Sequence, residues 1–537
     1  MASTRTSSAP MPIRIMMQDP GSRQSRREKH QQIAAARSHA AKHIAREARW
    51  QRQVNWRQEK NSHSSGRATS SDKASDDDED RRGSQSVIQT ALSQNRRDPF
   101  SPYDASQHPT IFQELIEYAY DTLWPNLIEV SGNPVIHPGR REWRLAAQEN
   151  PAVYHVHLAS VADFGKAIYH AHGLSGQFDR LRLFHHTQAL GLVRQMIQSM
   201  GTNGIPTDAL VMAVYNLSYQ GTGWDYRIIP ESHPPSPVFK SRFLGGYGRK
   251  VPHDDHIRAM NTLIRAKGGL EEVRLVGIAE MIWLWSLDNC SAHIRTPDFP
   301  LLKQYEAALV DYKRKLATSL RDGTPEGQGS AFLVLSGRGD ICRLRDCLLC
   351  TATITAELGV LAQGDEGACS FRGLLKIARA NHHQLLSIPA DSKDHDTGED
   401  EEDRIIFSVT RLAALLYHDI VIFPQVDTSG IKPRLADQLR HNLSRRSPSL
   451  APRAGRIEYR GLVLWALLLG SIGSTWTKNR NWFVEQLHRR SKLLGIETFA
   501  ELKTYMSRYI WFENMDGPAL RAWSEGEAAV LSSDEDG

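Results

Sequence analysis

The sequence is short of the residues that mark several familiar protein classes. Five cysteines in 537 residues, an odd number with three inside nine positions (Cys342, Cys347, Cys350), cannot form the disulfide framework of a small secreted protein. A reducing compartment is expected. The first thirty residues hold no apolar core of signal-peptide length. The longest uninterrupted apolar run, Gly461–Gly473, falls short of the roughly 20 residues a bilayer requires, so no membrane partner is expected. No G-x-S-x-G elbow, H-E-x-x-H pair or dinucleotide fingerprint with its acidic residue is present. The stretch Leu244–Lys250 (LGGYGRK) has glycines and cations suited to phosphate, but no strand precedes it and no Ser or Thr follows the lysine.

What is present is unevenly spread. The formal charge of +5 divides into +9 over residues 1–60 (13 basic, 4 acidic), zero over 61–97, and hence −4 over 98–537. The stretch Gly21–Lys60 lacks proline and is rich in Ala, Arg, Gln, Glu and Lys, all good helix formers, yet carries too few apolar residues to bury a face unaided. It reads as a disordered basic tail with a nascent helix over 22–60, ordered by a partner. Its cations Arg23, Arg26, Arg27, Lys29, Arg37, Lys42, Arg46, Arg49 and Arg52 suit an import receptor or, alternatively, the phosphate backbone of DNA. The bland alternative is a solvated extension. No heptads follow, which argues against a dimeric basic-helix DNA reader. A Ser/Asp-rich linker closes the tail at residue 97, and its acidic run Asp76–Asp80 can fold back on the basic stretch. Residues 391–403 read as an acidic disordered loop, and 526–537 as an acidic disordered tail in which Ser532 and Ser533 precede acids.

Between them, residues 98–525 read as an all-α array of about 12–15 helices. Leu183, Leu190, Val193, Ile197 and Met200 step at helical spacing, as do Ile405, Val409, Leu412 and Leu416, and Ile257, Met260 and Ile264. Gly201 to Gly204, Gly268-Gly269, Thr296-Pro297 and Gly495 supply the breaks. Residues 216–248, rich in Gly, Pro and aromatics, read as a long irregular excursion, and no alternating strand pair stands out.

Four phrases in order resemble the fungal-specific transcription-factor-like family: Arg96–Leu127 with its Asp-Pro-Phe, Phe184–Ser218, His256–Val273 ending a helix in Gly-Gly-Leu, and Gly461–Trp523. Many regulators of that family read DNA through an N-terminal cluster of six cysteines around zinc. Here the first cysteine is Cys290, and the basic stretch RSHAAKHIAREAR is similar to the N-terminal extension of the branch without the cluster. The resemblance implies a nuclear transcriptional regulator that acts through a helical domain binding protein partners or an effector, without zinc. A scaffold that never touches DNA is the alternative.

Other constellations are weaker. Cys342, Cys347, Cys350 and Cys369 have the spacing of an iron–sulfur run, but the surrounding residues form an amphipathic helix, so core thiols and no cofactor are expected. His418-Asp419, with His382-His383 upstream, has the form used by metal-dependent phosphohydrolases, a remote enzymatic alternative; it reads better as a core helix with a partly exposed polar step. Asp254 or Asp255 reads as the cap of the helix carrying Ile257, rather than as part of a cation site with His253 and His256. The tryptophans read as core and helix-end anchors, except Trp50 and Trp56 in the basic tail, for which stacking on nucleic-acid bases stays open.

Overall fold

The computed structural model describes residues 110–125, 138–168, 175–201, 204–220, 223–224, 232–241, 250–251, 253–321, 327–336, 339–363, 370–390, 401–445 and 459–535. The basic tail, the linker and Asp391–Asp400 lie outside them. Among the described residues the fold is all-α, with seventeen helices. They are α1 (Thr110–Tyr118), α2 (Pro138–Glu149), α3 (Pro151–Ile168), α4 (Ser175–Met200), α5 (Asp208–Gln220), α6 (Pro237–Ser241), α7 (Asp254–Lys267), α8 (Ile278–Ala292) and α9 (Lys303–Arg321). The remainder are α10 (Asp340–Ala362), α11 (Phe371–Leu386), α12 (Glu401–Tyr417), α13 (Ile431–Arg445), α14 (Arg460–Gly473), α15 (Arg480–Leu493), α16 (Phe499–Met506) and α17 (Asp516–Glu535). The sequence count of 12–15 falls short because helices such as α1, α6 and α16 run for only nine, five and eight residues, too few turns to display a period.

Helices adjacent in sequence pack side by side, as short connections favour: α2 on α3, α3 on α4, α4 on α5, α10 on α11, and α12 through α15 in succession. One hydrophobic cluster runs from Phe112 to Trp523. Its centre is α14, in which every residue from Gly461 to Gly473 is buried, as expected of a helix apolar on all sides. Helices α12, α13, α15 and α17 all pack against it. Two close approaches require glycine: a Cβ on Gly470 would overlap the ring of Phe483 on α15, and one on Gly461 would overlap the hydroxyl of Tyr509.

Helix ends follow local chemistry. Gly268, at φ +101°, turns the chain left-handed so that its N–H reaches Arg265 O at 3.1 Å and that of Gly269 reaches Ile264 O at 2.9 Å. Thr498 and Glu501 cap each other reciprocally at the start of α16. The expected carboxylate cap of α7 is replaced: His253 holds the cap position, and Asp254 and Asp255 occupy the first turn, where they oppose the positive end of the helix.

Several expectations change in detail. The 216–248 excursion is closed at its base by a two-residue antiparallel pair, Gly223 opposite Val251 and Trp224 opposite Lys250. The acids Glu401, Glu402 and Asp403 belong to the first turn of α12, where negative charge is favoured, rather than to the preceding loop. Helix α17 continues through Glu535, since Glu527–Leu531 hold good helix formers and no proline follows Gly526, so the acidic end is helical up to Glu535. The sequence also concealed an apolar stretch: α12 and the turn after it form a 21-residue segment, Glu402–Ile422, long and apolar enough by composition to cross a membrane, but 94% of its apolar window is buried inside the protein. Arg411, His418 and Asp419 interrupt the apolar run and hide its length.

Replacing Gly470 by Ala tests the central packing. Helix propensity alone favours Ala by about 1 kcal/mol, whereas overpacking against Phe483 costs about 1–3 kcal/mol. Urea unfolding should show net destabilisation.

Candidate functional site

Two helices end in π turns, a geometry frequent at functional sites: α1 continues as Ala119–Leu123, and α12 as His418–Ile422. Each places buried polar groups beside a buried imidazole. In the first, the Tyr120 hydroxyl lies 2.7 Å from His157 Nδ1, with Trp124 and Trp143 stacked around the ring. Burial pushes His157 down to about 3.

The second is more elaborate. His418 Nδ1 lies 3.1 Å from His382 Nδ1 of α11, His418 Nε2 lies 2.9 Å from Thr351 Oγ1 of α10, and His382 Nε2 lies 3.0 Å from Ser291 Oγ of α8. Proton directions follow from the donor count. The Thr351 hydroxyl spends its hydrogen on Cys347 O at 2.8 Å and also receives Asn381 Nδ2 at 2.9 Å, so it must accept from His418 Nε2–H. His418 Nδ1 is then the acceptor, His382 Nδ1–H the donor, and the Ser291 hydroxyl donates to His382 Nε2. Burial pushes His418 down to about 3, in keeping with its Nδ1 acting as an acceptor. Beneath it, Thr355 Oγ1 donates to Thr351 O at 2.8 Å and lies 2.9 Å from the Tyr417 hydroxyl.

The neighbouring residue solves the same burial problem with charge. Asp419 accepts from Gln425 N at 3.0 Å, and its other oxygen lies 3.2 Å from Lys432 Nζ of α13, which also reaches Asp427 at 2.8 Å. Burial works against the Lys432 charge, but the two carboxylates outweigh it and hold its proton more tightly than usual. Gln425 Nε2 continues to Asp288 of α8 at 3.0 Å. His233, above Lys432 and bonded to Pro234 O, is pushed down to about 4 chiefly by burial and then by the lysine.

The expected exposed step at His418-Asp419 is therefore absent: both residues are fully buried. Nor does the pair fit a cation, since both His418 nitrogens are engaged and Asp419 faces a lysine. His383, expected alongside His382, instead donates Nε2–H to Phe299 O, 2.9 Å away. Sequence reading missed Ser291, Thr351, Asn381 and Lys432; the only available signal was the i, i+4 pair Thr351 and Thr355 on an otherwise apolar helix face.

Cys290, Cys347 and Cys350 are buried, and burial raises their thiols to about 11, 11 and 12, as core thiols require. Cys342 is half-buried, and Cys369 lies outside the described residues. No group of three or more His, Cys, Asp or Glu among the described residues is arranged to hold a metal. His253 and His256 stack at 4.4 Å. Thr207 caps α5, while Asp208 at its first position accepts from Arg274 N and Leu275 N and pairs with Lys267 at 2.8 Å. Trp124, Trp143, Trp283 and Trp285 are core residues as expected, while Trp476 is 64% exposed. Arg23, Arg26, Arg27, Lys29, Arg37, Lys42, Arg46, Arg49 and Arg52 all lie outside the described residues. Comparison with protein-family models, curated proteins and solved structures finds no match.

Two predictions follow from the buried groups. His157, His233 and His418 titrate lower in the folded chain than the ordinary value near 6.5, so the unfolded chain binds more protons between about 3 and 6.5. Their contribution is complete above pH 6.5 and is lost as pH falls, by up to about 1.4 kcal/mol per pH unit for each histidine. Urea midpoints from pH 8 to 4.5 should fall accordingly, and His418→Asn should reduce the slope by about one proton. Separately, Lys432→Met leaves Asp419 and Asp427 without their cation and should cost about 3–5 kcal/mol by chemical unfolding at pH 7.

Proposed function

We propose that the chain is a nuclear transcriptional regulator whose helical body binds protein partners or an effector and whose basic N-terminal segment engages an import receptor and the DNA backbone. The observation that carries this reading is the charge division: +9 in the first sixty residues, against −4 beyond residue 97. A cationic segment attached to a mildly acidic body is suited to acidic partners, since each Lys or Arg that neutralises a phosphate releases a counterion. The four phrases similar to fungal-specific transcription-factor-like proteins support the same reading, and the nine cations of the tail are the groups suited to a DNA backbone. A regulatory scaffold without DNA contact is the second reading, favoured by the exposed apolar row on α4.

Deletion of residues 21–60 from a fluorescent fusion should disperse a nuclear signal through the cell, and unchanged localisation would remove the import role. In gel shifts of the full chain, affinity for random duplex DNA should fall steeply with salt. If all nine named cations contact phosphate, the slope of log K on log salt reaches roughly −8. Nuclear entry without DNA binding at low salt would leave the scaffold.

A further inference from the structure

The charge of −4 over residues 98–537 is itself an average. Residues 431–495 hold 13 Lys and Arg against 3 Asp and Glu, which is +10, so the rest of 98–537 carries −14. This cationic stretch supplies α13, α14 and α15. Because Gly461 to Gly473 of α14 are all buried, the described cations sit chiefly on α13, on α15 and on the loop 474–479 that joins α14 to α15. Some are neutralised within the fold: Lys432 by Asp419 and Asp427, Arg480 by Glu525, and Arg489 by Glu485. Around the loop, Lys478 and His441 are exposed and Arg440 is half-buried.

The loop is braced and presents one large aromatic. Thr475 Oγ1 donates to Ile472 O at 2.6 Å, Thr477 Oγ1 to Ser474 O at 3.1 Å, and Asn479 N to Thr477 Oγ1 at 3.2 Å. Between the two threonines Trp476 is 64% exposed, whereas Trp124, Trp143, Trp283, Trp465 and Trp523 are buried. Arg440 of α13 borders the loop. Its guanidinium lies 5.6 Å from the centre of the Trp482 ring and donates to Asn479 Oδ1 at 2.5 Å. Asn479 donates in turn to Asp437, an acid beside the loop.

We propose that the loop 474–479, with Arg440 and His441 of α13, is a contact site for single-stranded DNA, where one unpaired base stacks on Trp476 and Lys478, Arg440 and His441 donate to adjoining phosphates. The inference rests on the reading that this chain engages DNA, and adds to the basic tail a second site in the helical body. Charge complementarity selects the occupant: an aromatic platform ringed by cations matches a polyanion whose bases each have a π face. A single strand is favoured over a duplex because an indole stacks only on a base whose face is open. Arg440 is already held at the Trp482 ring, so it loses little side-chain freedom on meeting a phosphate. Asp437 opposes the field with one negative charge, which makes the site weak alone and suited to act beside the tail.

Fluorescence anisotropy of the full-length protein with a labelled thymidine oligonucleotide of about 15 residues, over a salt series, tests the site. Trp476→Ala should weaken binding by about five- to 150-fold, the loss of one stacked base, and leave the slope of log K on log salt unchanged. Trp476→Phe should keep most of the affinity. Lys478→Gln should reduce the slope by about 0.7, one phosphate contact on a single strand. Both side chains face solvent, and circular dichroism melts matching the wild type identify folded variants. Random duplex DNA should bind wild type and Trp476→Ala equally; duplex binding absent from both would remove the tail contact, and the single-strand measurement would still decide this site. Full single-strand affinity in Trp476→Ala, an equal loss on duplex, or tighter binding of a uridine oligonucleotide than of the thymidine one overturns the proposal.

Discussion

The enclosure of α14 on all sides is the constraint from which the rest of the helical body follows. A helix that is apolar around its whole circumference has no face to offer water, so α12, α13, α15 and α17 must surround it. Each of those neighbours must then present an apolar stripe inward. Close packing around the centre explains why Gly461 and Gly470 stand where a larger residue would improve helix propensity: Tyr509 and Phe483 occupy the space a Cβ would need. It also fixes the setting of α12, whose length and composition suit a bilayer but whose partners here are other helices.

A core this extensive imposes a second condition, that polar groups carried into it be satisfied there. The π turn after α12 meets it in two ways at consecutive residues. His418 faces α10 and α11 and is satisfied without charge, through a one-directional chain from Ser291 through His382 to Thr351. Asp419 faces α13 and is satisfied by Lys432. An uncharged imidazole ties the helices together at neutral pH, but the tie holds only while His418 Nδ1 stays unprotonated to accept from His382. The ion pair requires both partners charged, and because burial raises the Asp419 carboxyl it too weakens as pH falls.

How much of this was legible in the sequence depended on the range of the interaction. The rows Ile405, Val409, Leu412, Leu416 and Ile257, Met260, Ile264 named core faces correctly, and Gly268-Gly269 marked a true helix end, because period and cap are written within a few residues. The α4 row was read from the same period, yet Leu183, Leu190 and Ile197 are exposed. Periodicity identifies a face; it does not identify what covers that face. The histidine chain was partly visible, since His418 and His382 stood out as residue types. Their partners did not: Thr351 and Ser291 are common residues, brought near from 67 and 91 positions away. Burial reversed the apparent meaning of the His-Asp pair, from a step at the surface to a tie within the core.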